Sequence, residues 1–169
     1  MATHLVTGAS GCIGAWVIRT LVDRGDEVVA VDLSTERHRV DAVVGPSMRP
    51  SITWIQGDVT DFEAFSALVR SSNAASIIHL AGLQVPSCRA NPVLGATVNV
   101  IGTLNVFEAA RLAGIKRVLF PVVPILVDCD HQFVNWEGSV PLLVANRQED
   151  NYPAVQSMVN SPEADQDPV

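Results

Sequence analysis

Thr7-Gly8-Ala9-Ser10-Gly11-Cys12-Ile13-Gly14 is the stretch of this 169-residue chain whose residue types and spacing most directly permit chemistry. It is a G-x-x-G-x-x-G loop set between the β-branched run Leu5-Val6-Thr7 and the start of an amphipathic segment. Glycines allow turn angles and a close backbone approach that a Cβ would block. Amides at a helix start present the positive end of the helix dipole, so the loop suits a diphosphate. Asp32 follows Gly8 by 24 residues, at the end of a second β-branched run. An acid there accepts hydrogen bonds from an adenosine ribose, which favours NAD over NADP, whose 2′-phosphate a carboxylate repels.

Arg37 and Arg39 are within reach of a phosphate in principle but read as solvated helix charges. Asp58, after Gly57, fits either an adenine contact or a surface acid leading a helix. In His79-Leu80-Ala81-Gly82 the small residues let backbone approach a ligand, and His79 reads as a packed core residue. The amide of Asn99 either braces the site or sits on an exposed helix face. Cys12 at a helix start would be acidified if exposed, although a variable loop position explains it as simply. Asp128-Cys129-Asp130-His131 lacks a second ligand cluster at useful spacing, so no metal is expected. The chain has one lysine, Lys116, and one tyrosine, Tyr152, which excludes any mechanism that needs the two side by side.

Five β-branched runs, at 5–7, 28–31, 52–55, 76–80 and 117–120, alternate with amphipathic segments. Helices are expected over 13–23 (carrying Ile13, Trp16, Val17 and Leu21), over 34–43 capped by Ser34, after Thr60 or Asp61, and over 92–113 with Val98, Ile101, Leu104, Val106 and Ala109. This alternation predicts an α/β fold, a doubly wound parallel sheet in the order 3-2-1-4-5. Residues 1–120 form the expected dinucleotide-binding domain. Residues 121–169 hold six of the ten prolines and form an irregular, acidic segment expected to be partly disordered. Within it, 133–136 and 140–145 are able to pair across Glu137-Gly138-Ser139.

Eleven basic against eighteen acidic residues give a formal charge of −7, which removes the general attraction to nucleic acid. The longest apolar run, 118–127, is interrupted by two prolines and far short of a membrane span. Three widely spaced cysteines with no secretory leader before them point to a reducing, cytoplasmic setting.

With these pieces in order, the chain resembles the NAD-dependent epimerase/dehydratase group of extended short-chain dehydrogenases/reductases. The matching segments are TGASGCIG at 7–14, VDL at 31–33, GDVTD at 57–61, IIHLAG at 77–82 and NVIGTLNVFEAARLAGIKRVLF at 99–120. The resemblance implies a pyrophosphate on Gly8, Gly11, Gly14 and the backbone of Ser10, Cys12 and Ile13. It implies the adenosine ribose on Asp32, adenine near Asp58, and a nicotinamide side lined by Leu80, Ala81 and Gly82. Leu33, Val59 and Asn99 complete the expected cofactor-binding set.

The family then carries a Ser/Thr pair and a Tyr-x-x-x-Lys helix, in which an ammonium four residues from a phenol lowers its pKa. Here Phe120-Pro121-Val122-Val123-Pro124 has no hydroxyl, and Tyr152 is followed at the fourth place by Gln156. The resemblance also implies a longer chain with two more strands and a substrate lobe. The expectation is therefore a truncated, catalytically incomplete NAD-binding domain, its residues 121–169 replaced as a shifted frame, altered splicing or a misplaced gene end would do. The alternatives are a non-catalytic nucleotide sensor or partner-binding protein, or a non-functional product. The apolar edge of the fifth strand is expected to self-associate unless 121–145 cover it.

Overall fold

The computed structural model describes residues 1–120 and 144–146. Five parallel strands form the sheet: β1 (Thr3–Thr7), β2 (Glu27–Asp32), β3 (Ile52–Gln56), β4 (Ser76–His79) and β5 (Arg117–Leu119). Between them lie α1 (Cys12–Asp23), α2 (His38–Val43), α3 (Phe62–Ser71), α4 (Val85–Ala90), α5 (Pro92–Ala96) and α6 (Thr103–Leu112). The strand order is 3-2-1-4-5, extended by a sixth strand, β6 (Val144–Asn146). The chain runs outward from β1 to β3 and then returns to β4 on the far side of β1. Register puts Thr7 opposite Val31 on one side and His79 on the other, so the reversal of direction falls at the end of β1. In such sheets a crevice opens there, outside the carboxyl ends of the strands.

Side chains alternate across the sheet, so neighbouring residues enter different cores. Leu5, Val29, Val31 and Ile77 pack with Phe65 and Val69 of α3 and Val106 and Ala109 of α6. Val6, Val28 and Ala30 pack with Ala15, Ile18 and Leu21 of α1 and Val40 of α2. Both faces are covered, which is why the central strands read as continuous apolar runs instead of alternating with polar residues. Of the two residues expected to start α3, Asp61 is the cap, and its carboxylate accepts the Ala64 amide at 3.1 Å.

Helix phase departs from the sequence reading in two places. The buried face of α1 is Gly14, Ala15, Ile18, Leu21 and Val22, while Ile13 and Trp16 are exposed. Gly14 packs against the turn that leads into the helix, and this contact fixes the rotation. Residues Pro92–Leu112 run as one helix, but Thr97–Gly102 is π-helical. The wider turn shifts the phase, so Gly102, Val106, Ala109 and Ala110 face inward and Ile101 and Leu104 face solvent. Among the described residues this 21-residue helix is long and apolar enough for a membrane span by length and composition alone. Ser34 caps no helix. Its hydroxyl accepts the Glu36 amide in a local turn, and α2 begins only at His38.

The edge of β5 that the sequence leaves open is paired. β6 runs antiparallel to it, with Val118 opposite Ala145, so the bare edge on which the expected self-association depended is covered along the described strand. The run 133–136, the cluster 128–131, Tyr152 and the acidic end of the chain lie outside the described residues.

Candidate functional site

The glycine turn is built by three glycines with different tasks. Gly8 has φ +67°, and a Cβ there would lie 2.6 Å from the Leu80 carbonyl carbon. Gly14 lets α1 sit down on the turn, since a Cβ would lie 2.4 Å from the Gly8 oxygen. Gly11 differs from both. Its added Cβ would meet only the Gly8 oxygen, at 3.1 Å, and otherwise open space. The first two therefore close the backbone on itself, and the third keeps a surface clear.

α1 starts directly from this turn, with Gly11 as its cap residue and no side chain capping it. The first-turn amides of Cys12 and Ile13 therefore have no carbonyl within the helix to bond. The Ile13 side chain is exposed, as is the free thiol of Cys12. Neither they nor Gly14 line the cleft, so any part they take in binding comes through backbone. The Ser10 hydroxyl is buried and has no hydrogen-bond partner, an unusual state for a polar group in a folded protein.

A cleft of about 460 Å³ follows the carboxyl edge of the sheet. At one end it is lined by Asp32, Leu33, Asp58 and Val59, in the middle by Gly8, Ser10 and Gly11, and at the other end by Leu80, Ala81 and Gly82. Asp32 Oδ2 accepts the Ser10 amide at 2.8 Å and Oδ1 accepts the Ser34 amide at 2.9 Å. Each oxygen keeps a free lone pair. Asp58 is turned locally, its Oδ1 accepting the amide and the hydroxyl of Thr60 at 2.8 Å each.

The two arginines differ. Arg37 lies over the Trp54 ring at 4.8 Å, a surface cation–π contact away from the cleft. Arg39, read from sequence as a solvated charge, lines the cleft and donates to the Ser10 carbonyl at 3.3 Å. Leu94, Thr97 and Val98 also line it and were not expected there. The signal available for them was Asn91-Pro92, a helix start placed soon after β4, which brings the next turns across the sheet edge.

His79 is buried as expected, but it is also bonded at both ring nitrogens: Nδ1 lies 2.7 Å from Thr7 Oγ1 and Nε2 lies 3.0 Å from Thr103 Oγ1. Burial pushes its pKa down from 6.5 to about 4. Asn99 stands behind the cleft and braces the loop that follows β4. Its Oδ1 accepts the Leu83 amide at 2.7 Å and its Nδ2 donates to the Leu83 carbonyl at 2.9 Å. Six residues on, Asn105 Nδ2 donates to the Val59 carbonyl at 2.9 Å, so one helix supports the loops after β3 and β4. Among the described residues no three His, Cys, Asp or Glu side chains are grouped to hold a metal ion.

Comparison with known proteins extends this picture. A family model described as GDP-mannose 4,6 dehydratase matches residues 5–122. A UDP-glucose 4-epimerase of Klebsiella pneumoniae is 35% identical over 118 residues, which is 69% of this chain and 85% of that protein. A UDP-glucose 4-epimerase of Erwinia amylovora is 33% identical over 122 residues, 69% of this chain and 35% of that one. Among solved structures, UDP-glucose 4-epimerase of Thermus thermophilus in complex with NAD is similar with a TM-score of 0.59 at 28% identity, over 69% of this chain and 36% of that chain. The match thus takes in about a third of the Erwinia and Thermus proteins.

Proposed function

The chain belongs to the NAD-dependent epimerase/dehydratase family of extended short-chain dehydrogenases/reductases, and from that premise we propose that its cleft binds NAD or NADH without turning over a substrate by itself. The observation that carries the reading is the buried, unpartnered Ser10 hydroxyl beside the clear face of Gly11 and the uncapped start of α1. A polar group in that state fits a ligand that supplies its partner, and amides at a helix start fit an anion. A dinucleotide meets both needs.

In this reading Gly8, Ser10 and Gly11, with the backbone amides of Cys12, Ile13 and Gly14, hold the diphosphate. Asp32 accepts hydrogen bonds from the adenosine ribose through the lone pairs left free by its two amide partners. Leu33, Asp58 and Val59 wall the adenine end. Leu80, Ala81 and Gly82, with Asn99 behind them, wall the other nucleoside. NAD is preferred to NADP because Asp32 repels a 2′-phosphate, although Arg39 stands close by.

When bound, the dinucleotide supplies a hydride acceptor or donor. The substrate class by kinship is a nucleotide-sugar hydroxyl or carbonyl, on which relatives named as UDP-glucose 4-epimerases act. This chain's own residues supply binding and orientation, but not the proton transfer such a reaction needs. Its one tyrosine has no lysine four residues on, and its one lysine, Lys116, lies just before β5. The Tyr-x-x-x-Lys spacing that lets an ammonium lower a phenol's pKa is thus missing from the sequence.

Calorimetry with NAD, NADH and NADP on the full chain tests the binding, and thermal unfolding tests it independently. Cofactor at 100 times its dissociation constant is expected to stabilise the fold by about 2.7 kcal/mol. Absence of both heat and stabilisation refutes the reading. Incubation with NAD and UDP-sugars is expected to yield neither epimer nor NADH. Turnover abolished by Tyr152→Phe would show that catalysis resides in this chain after all.

A further inference from the structure

The hydrogen bonds around His79 have only one consistent direction. Thr103 Oγ1 donates its single proton to the Asn99 carbonyl at 2.8 Å, so towards His79 Nε2 it acts only as acceptor. Nε2 therefore carries the ring proton and Nδ1 does not. The other end gives the same answer. Thr7 Oγ1 accepts the amides of Leu80 and Ala81, both at 3.2 Å, so its own proton goes to Nδ1. A neutral imidazole of one tautomer satisfies every group in the chain.

This chain closes around residues 80–83. One end of the segment hangs from Thr7 through the Leu80 and Ala81 amides. The other end is held by the Asn99 side chain through both backbone groups of Leu83. His79 and Thr103 join the two anchors across the interior, from the sheet to the π-helical turn that carries Asn99. The segment is thereby fixed against Gly8, whose missing Cβ allows the Leu80 backbone to come this close.

We propose that Thr7, His79, Thr103 and Asn99 act as one positioning clamp on residues 80–83, and that the clamp sets affinity for the second nucleoside of the dinucleotide and not for its adenosine diphosphate part. The ligand half of this statement rests on the dinucleotide reading above. A ligand with its ribose at Asp32 and its diphosphate at the glycine turn extends toward β4, because the two mononucleotide halves of such a sheet flank the point where strand order reverses. Residues 80–83 line that end of the cleft. Thr7 lines the cleft, whereas His79, Thr103 and Asn99 stand behind it. They act through the backbone they hold.

Thr103→Val keeps the shape and removes the hydroxyl that links His79 to the Asn99 backbone, and so joins the two anchors. With the full chain, the dissociation constant for NADH is expected to rise roughly tenfold, the size of one lost hydrogen bond, while that for ADP stays within about twofold. Thr103→Ser restores the hydroxyl and is expected to restore NADH affinity. Equal weakening of NADH and ADP, or no change in either, overturns the proposal. A second measurement needs no ligand: amide hydrogen exchange at Ala81 and Leu83 is expected to quicken in Thr103→Val and return in Thr103→Ser. Unchanged exchange refutes the clamp even if both ligands bind. Wild-type protein that binds neither NADH nor ADP, yet shows the exchange effect, refutes the dinucleotide reading and the ligand half of the proposal while the clamp stands.

Discussion

The Ser10 amide donates to Asp32 Oδ2 at 2.8 Å, so the glycine turn is tied to the end of β2 by the same carboxylate that faces the cleft. Asp32 thus orders the turn and presents its free lone pairs before a ligand arrives. Asp32→Asn is expected to lose on both counts, since an amide is a weaker acceptor and carries no charge. NAD affinity is expected to fall by roughly 10- to 100-fold, the range for a hydrogen bond to a charged group. NADP is expected to lose less, because repulsion of its 2′-phosphate goes with the charge. Titration calorimetry with both cofactors checks the pair, and an unchanged ratio of affinities refutes the role given to Asp32.

The three glycines are expected to fail differently. In Gly8→Ala the residue keeps φ +67°, at about 1–2 kcal/mol, and its methyl meets the Leu80 backbone. Gly14→Ala drives a methyl onto the Gly8 oxygen. Both are expected to lower the melting temperature by at least about 5 °C. In Gly11→Ala the methyl presses only on the Gly8 carbonyl oxygen, at 3.1 Å, a tight contact but milder than the other two, so melting is expected to fall by less than in either while NAD binding weakens sharply. Scanning calorimetry with and without NAD separates the cases, and a Gly11→Ala protein that binds NAD normally refutes the assignment of Gly11 to the ligand.

Strand order was legible because each β-branched run is punctuated by its own helix start or stop, such as Asp61 before α3 and the positive-φ Gly25 after α1. The glycine turn and Asp32 were legible because spacing along the chain fixes their spacing in space when a strand and a turn intervene. Helix phase was less so. Ile13 and Trp16 fit a helical period as well as Ile18 does, and only the contact at Gly14 decides which face is buried. The π-helical turn leaves no composition signal, and it moves Ile101 and Leu104 to the surface. Arg39 looked solvated because its partner, the Ser10 carbonyl, is 29 residues away and on another element. β6 overlaps the run 140–145, which the sequence offers as a pairing segment, but its described partner is β5, a choice made by the sheet edge and not by local sequence.

Asn105 supports the loop after β3 as Asn99 supports the loop after β4. Its Nδ2 donates to the Val59 carbonyl at 2.9 Å and lies 3.3 Å from the Thr60 carbonyl. Gly102, one turn earlier, allows the approach, since a Cβ there would be 2.8 Å from Val59 Cγ2. Asn105→Ala is expected to cost about 1 kcal/mol in urea unfolding and to weaken adenosine binding through Asp58 and Val59. Leu104→Ala, on the exposed side of the same turn, is expected to change stability by less than about 0.5 kcal/mol. If the two variants unfold alike, the contact contributes nothing beyond helix propensity.

His79 gives the fold a pH dependence of definite sign. Burial lowers its pKa from 6.5 to about 4 in the folded protein. Between those values the unfolded chain binds a proton on this ring and the folded chain does not, so falling pH favours unfolding. The contribution is complete above pH 6.5, is lost as pH drops through the window, and is gone below about pH 4, a change of about 3 kcal/mol. His79→Asn keeps a polar group near Thr7 and cannot titrate. Other carboxylates and histidines titrate alike in both proteins and cancel in the comparison. The stability advantage of wild type over His79→Asn is therefore expected to shrink by about 3 kcal/mol from pH 7 to pH 4, measured by urea unfolding across that range. A constant difference would mean that the ring takes up its proton in the folded state as readily as in the unfolded one, and that the Thr7–His79–Thr103 chain does not hold it neutral.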